Sequence, residues 1–170
     1  MTLFASSALA MAANAAQRVP EFAMKAVYLY NFAQLTNWPP RGEASDEPFN
    51  LCVFGGDEVF HALEALEGRK VNGHPLHSLQ IEDAVAVRQC HLLFLGEDAG
   101  RRGRRLLDGL GDAPILTVTD DPSLADSVAV SLVVTEGKRL AFDIKLGLAK
   151  GRNLALSSKL LRLANRVIVE

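Results

Sequence analysis

The stretch Phe49-Asn50-Leu51-Cys52-Val53-Phe54-Gly55-Gly56-Asp57-Glu58-Val59-Phe60 decides how the chain is read. Leu51 to Phe54 is a short apolar run bounded by turn formers, the pattern of a buried β-strand. Gly55 and Gly56 accept positive φ, so the chain can turn sharply after the strand. Asp57 suits a helix N-cap, and Glu58 favours the positive end of the helix dipole. Phe60, Leu63 and Leu66 then recur on one face of a helix expected over Glu58 to Glu67, with Gly68 at its C-terminal end.

Three functional readings compete for this unit. It is a plain β–α corner, a phosphate cradle at a helix N-terminus, or the Gly-Gly-Asp-Glu string of a diguanylate cyclase. The cradle lacks the third glycine of a dinucleotide fingerprint and the Lys-Ser/Thr of a P-loop. No acidic residue stands clearly at the end of the next strand to hold a ribose. The cyclase string belongs in a hairpin served by metal-binding carboxylates, whereas here it opens a helix after a strand without acids. The corner with a cap is favoured. A ligand pocket at the strand ends would use Gly55, Gly56, Asp57 and Asp120.

On the N-terminal side, Phe22, Ala23, Ala26, Val27, Tyr30 and Ala33 recur at three- and four-residue spacing, which predicts a first helix over Pro20 to Gln34. Trp38-Pro39-Pro40 stops it, and a polar loop runs from Arg41 to Pro48. On the C-terminal side, Asn72-Gly73 marks a tight turn. Strands are expected over Leu76 to Ile81, His91 to Leu95 and Ile115 to Thr119. Helices are expected over Glu82 to Gln89 and Ala99 to Leu110, and Asp120-Asp121-Pro122 signals a helix start. The alternation predicts a mostly parallel sheet with helices on both faces, a three-layer α/β/α domain. Val128 to Val134, the turn Thr135 to Lys138, and Arg139 to Ile144 then read as an antiparallel hairpin, so the sheet is mixed. Leu146 to Lys150 makes a helical turn. Ser157-Ser158 caps a last helix whose apolar face is Leu160, Leu161, Ala164, Val167 and Ile168.

The 170 residues suit one domain. Hydrophobic residues at 49% and charged ones at 22% are ordinary for a globular core. A net charge of −2 argues against non-specific nucleic-acid binding, which needs a basic face. No apolar run is long enough to span a bilayer. Residues 3–13 are small, apolar and uncharged, and Ala13-Asn14-Ala15 offers a cleavage site, as in a secretory signal peptide without its basic n-region. The other reading is an Ala-rich first helix. On the signal reading, residues 1–16 are a signal remnant and residues 17–170 a single exported domain. Cys52 and Cys90 then either form one bridge or remain two buried thiols.

His74-x-x-His77 has Pro75 inside it and no further ligand at metal spacing, so a surface loop is the better reading. His61 and His91 are unremarkable. No Gly-x-Ser-x-Gly elbow is present. Arg101-Arg102-x-Arg104-Arg105 suits a phosphate, an acidic partner or anionic lipid, against the plainer reading of a solvated helix face. No catalytic residue, metal or cofactor is expected.

Seven motifs in order resemble the YfiR-like family. They are Lys25-Ala26-x-Tyr28-x-Tyr30-Asn31-Phe32-Ala33 with Trp38-Pro39, then Phe49-x-Leu51-Cys52-Val53-x-Gly55, then Val71-Asn72-Gly73-x-Pro75-Leu76. Cys90-His91-Leu92-Leu93-Phe94, Ile115-Leu116-Thr117-Val118-Thr119-Asp120, Phe142-Asp143-Ile144 and Leu156-Ser157-Ser158-Lys159-Leu160-Leu161-x-Leu163-Ala164 follow. The resemblance implies an exported, non-enzymatic regulator of the periplasm. Such a regulator binds the periplasmic domain of the membrane diguanylate cyclase YfiN, lowers cyclic di-GMP, and is sequestered by the outer-membrane lipoprotein YfiB. Biofilm formation is the downstream trait. The Gly-Gly-Asp-Glu string is then a coincidence in the regulator. Cys52 and Cys90 match family cysteine positions, which implies their bridge; a second cysteine pair found in some members is missing. Lys145 stands where the family usually has Asn. The expected partner surface draws on Trp38, Arg101, Arg102, Ser157 and Lys159, and a homodimer is the expected assembly. Tyr28 and Tyr30 read as core. The alternative function is a periplasmic small-molecule or nucleotide sensor using the pocket near Gly55.

Overall fold

Leu51, Cys52 and Val53 have no exposed surface, and the main sheet is built outward from their strand. The structure, a computed structural model, describes residues 21–40 and 46–170. The expected signal segment, Pro20 and residues 41–45 lie outside the described residues.

A first helix, α1 (residues 21–34), leads to β1 (Thr36–Asn37). The organising unit is β2 (Phe49–Phe54) and α2 (Asp57–Leu63). Next come β3 (Lys70–Val71), β4 (His74–Gln80), β5 (Leu92–Leu95), α3 (Gly100–Asp108) and β6 (Leu116–Thr119). The C-terminal part holds β7 (Val130–Val134), β8 (Leu140–Lys145), α4 (Leu146–Lys150), β9 (Ala155–Leu156), α5 (Ser158–Leu163) and β10 (Arg166–Ile168).

Eight strands run in the order β10-β8-β7-β6-β5-β2-β4-β3, and β1 pairs with β9 in a small second sheet. Neighbours from β4 through β7 are parallel. The β7–β8 hairpin is antiparallel, with Leu132 opposite Phe142. β10 adds to β8 in parallel. The expected mixed, mostly parallel sheet with its antiparallel hairpin is therefore present. The Asn72-Gly73 turn joins β3 to β4, with φ of 49° and 89°, the doubly positive geometry of a two-residue hairpin.

The strand period of two divides the core. Leu51 and Val53 face one cluster with Leu92, Phe94, Leu116 and Val118. Onto that side α1 brings Ala26, Leu29, Phe32 and Ala33, and α2 brings Val59 and Leu63. Cys52 and Phe54 face the opposite cluster with Leu93, Leu95 and Leu106 and Leu107 of α3. Helices therefore cover both faces of the sheet.

Four local expectations are corrected. The inward stripe of α1 contains Lys25, Ala26, Leu29, Phe32 and Ala33, while Val27 of the expected stripe is 48% exposed. Asp57 is not the N-cap of α2; Gly56 takes that position in a left-handed conformation, and Asp57 is the first helical residue. The expected helix over Glu82 to Gln89 is only a 3-10 turn at Ala86–Gln89. The preceding bend is fixed by Asp83, whose Oδ1 accepts from Val85 and Ala86 backbone N–H groups. The last helix stops at Leu163, and Val167 and Ile168 lie in β10 instead. There Val167 lies beside Ile144, and β-branched residues fit a pleated surface better than a helix turn.

Cys52 is bonded to Cys90, with 5.8 Å between their Cα atoms. The bridge joins neighbouring strands because Cys90 stands just before β5, which pairs with β2. It closes a loop spanning 38 positions, for which chain entropy gives a stabilisation of about 4 kcal/mol. Replacing both cysteines by Ala should lower the urea-unfolding free energy by about 2–5 kcal/mol. An unchanged midpoint would show that the bridge constrains nothing the fold does not already constrain.

Candidate functional site

The glycine corner is closed by the protein itself. β4 lies on one side of β2 and β5 on the other, so the C-terminal ends of β2 and β5 form the crevice where open α/β sheets place ligands. Gly55 and Gly56 turn there with φ of 68° and 73°. The Gly96 backbone packs against them so closely that a Cβ at 96 would lie 2.6 Å from the Gly56 nitrogen. Asp98 supplies the anion: its Oδ1 accepts from the Gly56 N–H at 2.7 Å. Asp57 accepts from the Gln80 side-chain amide. Gly55, Gly56 and Asp57 thus stand together in a filled corner.

Asp120 of the expected pocket lies elsewhere. It follows β6, and its Oδ2 accepts from Lys25 Nζ of α1 at 2.8 Å. Lys25 also meets Glu21 Oε1 at 2.9 Å. The Lys25 and Asp120 side chains are only 6% and 8% exposed. Burial pulls the Lys25 pKa down, but its bonds to Asp120 and Glu21 outweigh this and hold it above its ordinary value. Burial raises the Asp120 pKa, with Lys25 opposing and Glu97 adding to the rise. The short contact and the second carboxylate on Lys25 favour the ionised pair. Asp121, not Asp120, makes the cap expected here, accepting from Ser123 N–H at 2.8 Å. A cavity of about 370 Å³ beside the pair is lined by Lys25, Glu97, Asp120 and the apolar Leu132 and Leu140.

The expected partner residues are dispersed. Trp38 donates its indole N–H to the His91 carbonyl at 3.0 Å and meets the Phe49 ring edge-on at 4.9 Å. Phe49 stacks on His91 at 4.8 Å, and the Asn50 N–H donates to His91 Nδ1 at 3.0 Å. His91 is therefore a buried packing residue whose Nδ1 is an acceptor. Trp38, Pro39, Pro40, Phe49 and His74 line a hollow of about 360 Å³. The arginine run splits: Arg102 lies over the Phe54 ring at 5.3 Å, and Arg104 ties α3 to Ser127 and the Ser123 carbonyl. Arg101 and Arg105 are exposed. Ser157 caps α5 by accepting from Leu160 N–H at 3.1 Å. His74 and His77 are three apart on β4 and so point to opposite faces. His74 meets the Glu47 carbonyl and His77 the Glu67 carboxylate.

A larger surface emerges that the spacing of residues did not single out. Met24 and Tyr28 of α1, Val134 and Leu140 of the β7–β8 hairpin and Leu163 of α5 line a groove of about 810 Å³. Met24, Val134 and Leu163 are 49%, 66% and 60% exposed. Glu21, Lys138 and Arg139 rim it. An adjoining hollow adds Phe142, Leu160 and the expected partner residue Lys159. Tyr28 is half-buried, and its hydroxyl donates to the Leu140 carbonyl at 3.1 Å, so it serves both core and groove. An apolar floor with a charged rim is the anatomy of a protein-binding surface.

Among the described residues, no group of three or more His, Cys, Asp or Glu side chains is placed to hold a metal ion. No helix among them is long and apolar enough to cross a membrane. The sequence matches the family model described as YfiR/HmsC-like over residues 22–165. No curated protein matches.

Removing one member of the buried pair strands the other charge. Lys25→Met should therefore cost about 3–5 kcal/mol in urea unfolding. Lys25→Met combined with Asp120→Leu should recover much of that loss; equal costs for single and double variants would dismiss the pairing. A second expectation concerns Asp143. Burial raises its pKa, but bonds from Arg166 and Asn165 prevail and hold it below its ordinary value. A depressed carboxylate stabilises the fold above its unfolded-state pKa and loses that contribution as pH falls through the folded value. The stability advantage of the wild type over Asp143→Asn should thus be full near neutrality and shrink below pH 3.8, the ordinary value. A pH-independent difference in thermal melts would contradict it.

Proposed function

The chain belongs to the YfiR/HmsC-like family, and on that premise we propose that it is a periplasmic, non-enzymatic repressor of a membrane diguanylate cyclase. In this reading it binds the periplasmic domain of a YfiN-like cyclase and holds the cytoplasmic catalytic domain inactive. Cyclic di-GMP falls and biofilm formation with it, and a YfiB-like outer-membrane lipoprotein sequesters the repressor to release the cyclase. Residues 1–16 are the signal segment, residues 17–170 the working domain, and the active species is a homodimer. The observation that carries the reading is the family match, which spans nearly all of the described chain. Two features support it. The Cys52–Cys90 bridge suits an oxidising compartment. The groove at Met24, Tyr28, Val134 and Leu163 gives an apolar floor on which a partner can dock.

A second reading, a small-molecule sensor, draws on the hollow at Trp38 rather than the Gly55 corner, because Asp98 and Gly96 fill the latter. It is compatible with repression, since a bound ligand can bias the regulator between partners.

The protein from Gln17 onward, incubated with detergent-solubilised membranes of its own source, should retain a diguanylate cyclase. Deleting its gene should raise cellular cyclic di-GMP. Leu163→Glu should abolish retention and leave the thermal midpoint within about 2 °C, since exposed sites tolerate polar substitution. Capture of no cyclase, together with unchanged cyclic di-GMP in the deletion strain, would end the repressor reading. A thermal-shift screen of nucleotides and amino acids tests the sensor reading, because a ligand specific for the native state raises the midpoint.

A further inference from the structure

The groove at Met24, Tyr28, Val134, Leu140 and Leu163 carries a surplus of positive charge on a chain whose net charge is −2. Its lining holds one carboxylate, Glu21, against two cations, Lys138 and Arg139. Glu21 is bound to Lys25 at 2.9 Å. Lys138 and Arg139 are exposed, and neither has an ion-pair partner among the described residues. Lys159 of α5, exposed and likewise without an ion pair among the described residues, adds a third cation on the adjoining hollow. Glu136 of the hairpin turn lines a different hollow, together with Arg166. An apolar floor whose rim carries unpaired charge of one sign complements a partner of the opposite sign.

The backbone beside the groove decides the form of that partner. β10 pairs with β8 only over Asp143 to Lys145. Leu140 to Phe142 of β8 therefore have no strand on that side among the described residues. An added strand would need free backbone acceptors there. Those acceptors are taken. The Leu140 carbonyl accepts from the Tyr28 hydroxyl at 3.1 Å, and the Phe142 carbonyl accepts from the Asn165 N–H at 2.8 Å. An incoming segment is thus recognised by its side chains rather than by its backbone. Tyr28 and Leu163 belong to both the groove and the adjoining hollow, so the two are contiguous. A helix fits such a surface, because residues three and four apart present one apolar stripe to the floor and leave its flanks for charges that meet the rim.

We propose that the groove receives an acidic amphipathic helix of the partner protein, with its apolar stripe on Met24, Val134 and Leu163 and its carboxylates facing Lys138, Arg139 and Lys159. The inference rests on the reading that the periplasmic domain of a membrane cyclase docks here, and it deepens that reading by naming the chemistry the domain presents. The apolar floor holds the complex, while the cations speed the encounter and select against basic segments.

Retention of the cyclase from detergent-solubilised membranes tests it, on the protein from Gln17 onward and on its Lys138→Glu, Arg139→Glu double variant. The reversal should weaken retention about tenfold or more, since attraction at the rim becomes repulsion. It should leave the thermal midpoint within about 2 °C, because both sites are exposed. Arg69→Glu with Arg105→Glu, the same change of charge at exposed positions outside the groove, should not weaken retention. A photocrosslinking residue in place of Met24 should join, by mass spectrometry, to a cyclase peptide whose apolar residues stand three and four apart among Asp and Glu. No retention by the wild type overturns the docking reading and this inference with it. Retention lost in Leu163→Glu but undiminished by the double reversal leaves docking standing and overturns the acidic partner alone. Crosslinks to a basic segment, or to one whose apolar residues alternate at the strand period, overturn the acidic helix as well. Binding to phosphatidylglycerol vesicles that the reversal abolishes, with no crosslink to a cyclase, assigns the cations to a membrane surface and also overturns it.

Discussion

The ion pair between Lys25 and Asp120 sets the orientation of α1, and much of the molecule follows from that orientation. A lysine buried on the inner face of a helix is tolerable only opposite a carboxylate, and Asp120 lies at the C-terminal end of a central strand. With Lys25 held there, Ala26, Leu29, Phe32 and Ala33 must face the sheet. Turning the helix by one residue toward Val27 would drive Val27 inward and expose Lys25. Buried pairs of this kind contribute little net stability compared with a well-packed apolar pair. What this one supplies is a choice among helix rotations, and that choice puts Met24 in the groove with Tyr28 and Leu163.

The sheet itself has the strand order of a ligand-binding α/β domain, yet its crevice holds a protein carboxylate. A helix start after a glycine corner attracts anions, and Asp98 meets that demand from within the chain. His91 is likewise engaged in packing, His74 and Arg104 bond backbone carbonyls, and Arg102 lies over the Phe54 ring. The crevice end of the sheet is thereby a packed support, and the open apolar surface lies in the groove at Met24, Tyr28 and Leu163. In the proposed reading, a regulator that is itself bound needs such a support more than it needs a pocket.

Much of this was legible in the order of residues. Leu51 to Phe54, the Asn72-Gly73 turn, the Asp121 cap and the hairpin from Val128 to Ile144 all depend on neighbours close in sequence. What escaped depended on distant partners. Lys25 broke the apolar stripe of α1 because its carboxylate is 95 residues away. Asp57 had the right chemistry for a cap, but Gly56 in its left-handed conformation takes the cap position, its N–H held by Asp98 from the loop after β5. After Ser158 the pattern of Leu160, Leu161, Ala164, Val167 and Ile168 fits a helical period. The anchoring of Asn165 and Arg166 on Asp143 favours a strand beside β8. The candidate groove was harder still to read, because its residues come from α1, the hairpin and α5 and share no local pattern.

The contact between Gly56 and Gly96 constrains how this fold can be altered. Two loops, each ending a different strand, occupy a space that admits no β-carbon on Gly96. Neither loop can be lengthened, stiffened or exchanged for a relative's version by itself. A transplant that carries a larger residue into one would force the other to retreat, separating the C-terminal ends of β2 and β5. For anyone recombining such regulators to switch their partners, these two loops are inherited as one block. The freedom to shuffle lies at the far ends of the chain, in the groove and along the last strand.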